Sequence, residues 1–371
     1  MGRQHRHQAR RGADHSGQER AAAALLGHRI RIGLAVSELQ GSGLPLGGTG
    51  LSAESYADFV AKEYLGEYVR TGGAAVRFVV TGADDVAQRW HRSLASSATA
   101  EGYLYVAAGA GEVRVHLIDQ LYAAVARQLD WDELARQQVR EAWEQLGLPS
   151  PDADTLSVAA IAEHHEVDAR EAARSMRRQL EGTLLRDPSL AREFRLAVLR
   201  LCQAQLATGD VLDSERAAVL SWLRVEPVAL RDLRSASLYA RIGRHNARSM
   251  LVSLAAWRVR VVGTGLVLDL DLDRLAVSRR PPVDERSGYY YSKAAVLDAY
   301  EVLRQLVDAT DSLRGVFVAA ALPPQLVSDE ARGLPAYHAL QLRVVDEVRD
   351  RRRANPFAAL VRLETRLEVT A

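Results

Sequence analysis

Apolar strand segments occur in this chain in two groups, and neither group has enough of them to close a sheet alone. AVRFVVTG and YLYVAAG lie between residues 74 and 109, whereas GLVLDLDLD, RGVFVAAALP and AALVRLE follow only after residue 264. Amphipathic helical patterns separate the strands within each group, which is the rhythm of a parallel α/β sheet. Between the groups the sequence is almost wholly helical in period, as in DELARQQVREAWEQLGL and LAREFRLAVLRLCQAQL. One sheet interrupted by a helical insertion accounts for this order better than two unrelated domains. The expected organisation is a leader over 1–51, the first half of an α/β core over 52–131, a helical insertion over 132–260, and the second half of the core over 261–371.

With 371 residues, 48% of them hydrophobic and 26% charged, the chain can bury a sizeable core. No run of 18 apolar residues occurs, which argues against a membrane span. The leader lacks the apolar segment of a secretory signal. Residues 1–31 carry seven arginines against Asp14 and Glu19, about +5 in a chain of net charge +1. This basic segment, and the GSGLPLGGTG that closes the leader, are expected to be tail and linker, with non-specific DNA contact as the alternative. The single cysteine, Cys202, excludes an internal disulfide framework and fits a buried thiol in a reducing cytoplasm.

The functional question sits in RFVVTGADDVAQRW, residues 77–90, a strand–turn–helix frame of the kind that holds a phosphate loop. Such a loop needs G-x-x-x-x-G-K-[ST]: glycines so that backbone N–H groups wrap the phosphates, a lysine for the β and γ groups, and a hydroxyl for Mg²⁺. The chain has only two lysines, Lys62 in FVAKEYLG and Lys293 in YYYSKAA, and neither follows a glycine loop. The turn reads instead Thr81, Gly82, Ala83, Asp84, Asp85, Val86, Ala87, Gln88, Arg89. Its two carboxylates repel a triphosphate, and Arg89 is the one cation near the expected position.

Two later strands bear on the same chemistry. In GLVLDLDLDRL, Asp271 stands where an ATPase strand places its metal-ordering aspartate, and Leu272 stands where the catalytic glutamate belongs. Alternation puts Asp269, Asp271 and Asp273 on one strand face, either as a remnant metal site or as a solvated strand end. GVFVAAALPP ends in Ala319, Ala320, Ala321 and Leu322, with no polar residue to contact a γ-phosphate.

FVVTGADDVAQRWHRSLASSATAEGY, LSWLRVEPVALRDL, ARIGRHNARSMLVSLAAW, GLVLDLDLDRLA, the stretch from AVLDAYEVLRQLV through GVFVAAALPPQLV, and GLPAYHALQLRV carry a further likeness. Together they resemble the P-loop family that supplies ATP-binding components of BREX-type bacterial phage-defence systems, over most of residues 52–364. The resemblance implies an ASCE-type P-loop fold with a helical insertion, acting beside DNA-directed defence proteins. By the family's pattern Thr81 or Gly82 opens the phosphate loop and Ala87 or Gln88 replaces the lysine. Asp271 matches the Walker B aspartate and Leu272 replaces its glutamate.

The leading expectation is a catalytically dead ATPase-like subunit with no catalytic residue and no metal ligand. It would be a structural or regulatory partner of an active P-loop ATPase homologue or helicase. One alternative is an active ATPase that binds ATP and Mg²⁺ through Arg89 and Asp271. The other is a DNA-binding adaptor that uses the leader and the basic run 349–353.

Three further groups invite a role. Arg343 is either an arginine that reaches a neighbouring subunit's nucleotide or a salt-bridged helix residue. His164 and His165 are adjacent on a helical pattern and diverge too far to share one metal, so they read as a surface pair. Tyr289, Tyr290 and Tyr291, close to the arginines of SRRPPVDERSG, either stack on bases or anchor the helix they open.

Overall fold

The computed structural model describes residues 51–285, 287–345 and 355–364. The two groups of strands combine in one all-parallel sheet. Its strands are β1 (Ala74–Thr81), β2 (Leu104–Gly109), β3 (Leu266–Asp271), β4 (Val316–Leu322) and β5 (Leu360–Leu363). Their spatial order is β2-β3-β4-β1-β5, so β1 pairs with β4 and β5, and β2 pairs with β3. A parallel sheet is covered on both faces, and its strands must be apolar almost throughout. All seven residues of β4 and all but Arg77 of β1 are accordingly buried. Arg77 is tolerated because its Nε donates to the Tyr64 hydroxyl at 2.9 Å and its guanidinium lies 4.7 Å over the Tyr64 ring.

One face is covered by α1 (Ala53–Phe59), which continues into a π-helical segment over Val60–Val69, and by α2 (Asp84–Ala100). Tyr56 and Trp90 stack there with ring centroids 5.3 Å apart, in a core shared with Val79, Phe317 and Val361. On the other side, seven α-helices separate β2 from β3 among the described residues: α3 (Ile118–Ala126), α4 (Trp131–Gln145), α5 (Val158–His164), α6 (Ala169–Leu184), α7 (Arg192–Ala204), α8 (Asp213–Leu223) and α9 (Ala247–Val262). With α10 (Lys293–Asp308), α11 (Gln325–Ser328) and α12 (His338–Val344), they share a second and larger apolar core. At its centre Trp131, Phe194 and Trp257 pack edge and face, with ring centroids about 6 Å apart. Cys202 is fully buried in α7, and burial pushes its thiol pKa up.

The stretch VHLIDQLYAAVARQLDW reads as one amphipathic helix followed by a second in DELARQQVREAWEQLGL; α3 instead ends at Ala126, and Trp131 already opens α4. Asp130 accepts from the Glu133 N–H at 2.9 Å and so caps a new helix beginning at Trp131. The leader, the GSGLPLGGTG stretch and the basic run 349–353 lie outside the described residues.

β3 and β4 start at an unusually close approach. A Cβ on Gly265 would lie 1.6 Å from the Gly315 carbonyl oxygen, whose partner is the Leu266 N–H at 2.9 Å. Gly265→Ala is expected to cost about 1–3 kcal/mol by prising apart the start of this strand pair. A urea titration against the unchanged chain reads the difference.

The crossover helix after β1 lies on the α1 face, whereas α10 and α12, after β3 and β4, contribute to the opposite core. The chain therefore changes face between β1 and β4. In open α/β sheets ligands bind outside the carboxyl ends of the strands at such a switch point. This directs attention to the ends of β1, β3 and β4.

Candidate functional site

Only Gly82 and Ala83 separate the end of β1 from the first residue of α2. Gly82 has open space where a Cβ would stand, and its φ is not in the left-handed region. Ala83 takes the N-cap position with no side-chain hydrogen bond, unlike the serine and aspartate caps of α1, α4, α5, α6 and α10. The first turn of α2 carries Asp84 and Asp85, and carboxylates there complement the positive end of the helix dipole. Thr81 is buried, while Gly82, Asp84, Asp85 and Gln88 are exposed. Arg89 pairs with Asp85 at 3.2 Å and faces Glu54 at 3.8 Å, so its charge is engaged on the helix side.

The end of β3 is acidic but not uniformly solvated. Asp271 lies opposite Ala321, which in turn lies opposite Val79, two residues before the end of β1. Its side chain is 42% exposed and accepts from the Asp273 N–H at 3.1 Å. The strand ends there, and Asp273 opens a short 3₁₀ turn instead of extending the row. Burial and the neighbouring charges of Asp271 and Asp84 raise the Asp273 pKa, although Arg274 partly offsets them. Leu272 is 1% exposed, packed into the large core.

Asp269 departs most from a solvated strand end. Its side chain is 0% exposed, and Oδ2 accepts from His91 Nδ1 at 2.6 Å and from the Tyr105 hydroxyl at 2.7 Å. Its Oδ1 has no hydrogen-bond partner among the described residues. His91 comes from α2, the helix after the β1 turn, and Tyr105 from β2. His91 Nε2 lies 3.8 Å from Asp271, so one imidazole stands between the two strand carboxylates. Burial alone would lower the His91 pKa. The hydrogen bond and charge of Asp269, with Asp271 and Asp273 beyond, outweigh it and raise the His91 pKa above the ordinary histidine value. Alternation along β3 identifies the shared face of Asp269 and Asp271, but not the helix that covers its inner part. An aspartate in the middle of a strand buried on both faces requires a partner, and that requirement was the available signal.

Among the described residues no group of three or more His, Cys, Asp or Glu side chains is arranged to hold a metal ion. His165 Nε2 contacts the Pro149 carbonyl at 2.8 Å, and the His164 and His165 rings meet edge to face. Arg343 pairs with Asp308, Nε to Oδ1 at 2.5 Å, and bonds the Ala339 carbonyl. The tyrosines precede the helix instead of opening it: Ser292 caps α10, and Lys293 is its first residue. Tyr291 is buried, whereas Tyr289 and Tyr290 remain partly exposed. No helix among the described residues is long and apolar enough to cross a membrane.

A model of the family described as BREX system ATP-binding protein BrxC/D matches residues 153–368, more than half of the chain. The matched stretch runs from before α5 through β5, so it contains β3 and β4 and begins after the β1 turn. No curated protein and no solved structure matches the chain. The family match, over more than half of the residues, shows that the chain belongs to the BREX system ATP-binding protein BrxC/D family.

Proposed function

We propose that this chain is a catalytically degenerate P-loop ATPase-like subunit, a structural or regulatory partner within a phage-defence assembly and not its motor. The observation that carries this reading is the two-residue turn between Thr81 and Asp84. A phosphate loop needs several residues between strand and helix, so that successive N–H groups can curve around the phosphates before the lysine. Here that length is missing as well as the lysine. The helix end that would attract an anion carries two carboxylates of its own, with Asp271 and Asp273 nearby.

Three further features support the reading. Leu272 is buried in the core at the position of the catalytic glutamate. β4 ends in apolar residues that are all buried. The Asp269 carboxylate is held by an imidazole and a phenol. A triphosphate with Mg²⁺ does not fit this set, and no hydrolytic step is assigned to it.

Calorimetric titration of the purified chain with ATP and Mg²⁺ tests the proposal. No binding heat is expected up to millimolar nucleotide. Micromolar affinity would overturn it, and hydrolysis by Arg89 and Asp271 variants would then be measured. The partner role is tested by adding the chain to a family ATPase with an intact loop, whose hydrolysis rate it is expected to change.

A further inference from the structure

The loops that follow β2 and β3 meet at the carboxyl edge of the sheet and line an open cavity of about 540 Å³. It lies away from the β1 turn, on the β2 side of the sheet. Arg114 and His116 enter from the first loop; Arg274, Arg280, Tyr289 and Tyr290 enter from the second. Among the described residues no carboxylate lines it.

The floor is fixed. Tyr289 N–H donates to the Gly111 carbonyl at 3.0 Å. The Tyr291 hydroxyl accepts from Val115 N–H at 3.2 Å and bonds the Val113 carbonyl at 2.7 Å. Gly288 has φ +70°, and a Cβ there would stand 2.5 Å from the Gly111 carbonyl oxygen, so only glycine lets the two loops close. Arg274 bonds the Ser287 carbonyl and thereby holds the tyrosine loop.

The groups above this floor are less committed. The Arg114 guanidinium lies 4.9 Å over the Tyr289 ring. Among the described residues, neither Arg114 nor Arg280 forms an ion pair. Tyr289 and Tyr290 are 38% and 37% exposed, outside either apolar core. Guanidinium groups favour phosphate through their donor geometry, and an exposed phenol ring offers a face on which any base can stack.

From this juxtaposition we propose that the cavity binds single-stranded nucleic acid, with Arg114 and Arg280 on phosphates and Tyr289 and Tyr290 under the bases. A free nucleotide carries the same chemistry. The geometry favours a strand, because small-ligand sites enclose most of their ligand, whereas these tyrosines and Arg280 stand at an open rim.

Fluorescence anisotropy of the full chain with a labelled 12-nucleotide oligo-dT at low salt tests this. Tyr289→Ala with Tyr290→Ala is expected to weaken binding at least tenfold, in line with stacking of about 1–3 kcal/mol per base. Arg114→Ala with Arg280→Ala should reduce the slope of log affinity against log salt by about 0.7 for each phosphate no longer neutralised. Both pairs lie at or near the surface, and circular dichroism should show the fold retained. Unchanged affinity in both double variants would overturn the proposal. So would equal competition by poly-glutamate at the same charge concentration, which would make the cavity a general anion surface. Equal competition by dTMP at the same nucleotide concentration would overturn the choice of a strand over a free nucleotide.

Discussion

His91→Ala is expected to destabilise the chain by about 3–5 kcal/mol, the loss seen when one partner of a buried ion pair is removed and the other is left. The substitution leaves the Asp269 carboxylate, with 0% exposure, only the Tyr105 hydroxyl. Chemical denaturation at pH 6 gives the magnitude, and its pH dependence gives the cause. The His91 pKa is raised in the folded chain, because the interactions with Asp269 outweigh burial. A group of this kind contributes stability that is fully present below its unfolded value, about 6.5, and is lost as pH rises through the folded value. The unchanged chain should therefore lose stability as pH rises from about 6.5 through the folded value. Asp269→Asn, which keeps the shape and removes the charge, should flatten that decline. A profile identical in Asp269→Asn and the unchanged chain would mean that the Asp269 charge is not what raises the His91 pKa.

Trp257→Ala is the second large effect, expected at about 3–5 kcal/mol. Trp257 is fully buried on α9 and touches Trp131 of α4 and Phe194 of α7, while its Nε1 donates to Gln138 Oε1 at 3.2 Å. Truncation leaves a large void between three helices and also strands the Gln138 amide, which is buried. Trp257→Phe should recover part of the packing and none of the hydrogen bond, and so fall between the two. Urea midpoints of the three proteins place them. A loss below about 1 kcal/mol for the alanine variant would show that the helices repack around the gap.

Much of the sheet was legible because buried parallel strands must be apolar runs, with β1 and β4 bounded at both ends by glycines or prolines and β3 preceded by Gly265. The break between α3 and α4 was legible but misplaced by a few residues, because apolar periodicity runs on to Trp131 and only the Asp130 cap marks the new start. The turn was legible in its residue types: no glycine loop, no lysine, two aspartates. Its shortness was not, since strand and helix ends cannot be fixed from composition alone. Asp271 and Leu272 could be read in order along β3. The His91–Asp269 contact joins residues 178 positions apart through the packing of α2 on the sheet, and no local pattern carries that information. Likewise the tyrosine triplet announced aromatic chemistry, but Arg114 joined it only through the meeting of two loops.

The strand order also dictates a timetable for synthesis. β1 pairs Ala74 with Val316 and Phe78 with Leu360, so the central strand leaves the ribosome long before either neighbour exists. At about 5–20 residues per second, β1 waits for roughly ten seconds to a minute with both edges unpaired. During that interval the helices from α3 to α9 can pack around Trp131, Phe194 and Trp257, all of which precede β3. Nascent chains of this protein thus carry a partly assembled helical body and an open apolar strand at once. That strand is where chaperone capture, or misassembly between neighbouring chains, would begin.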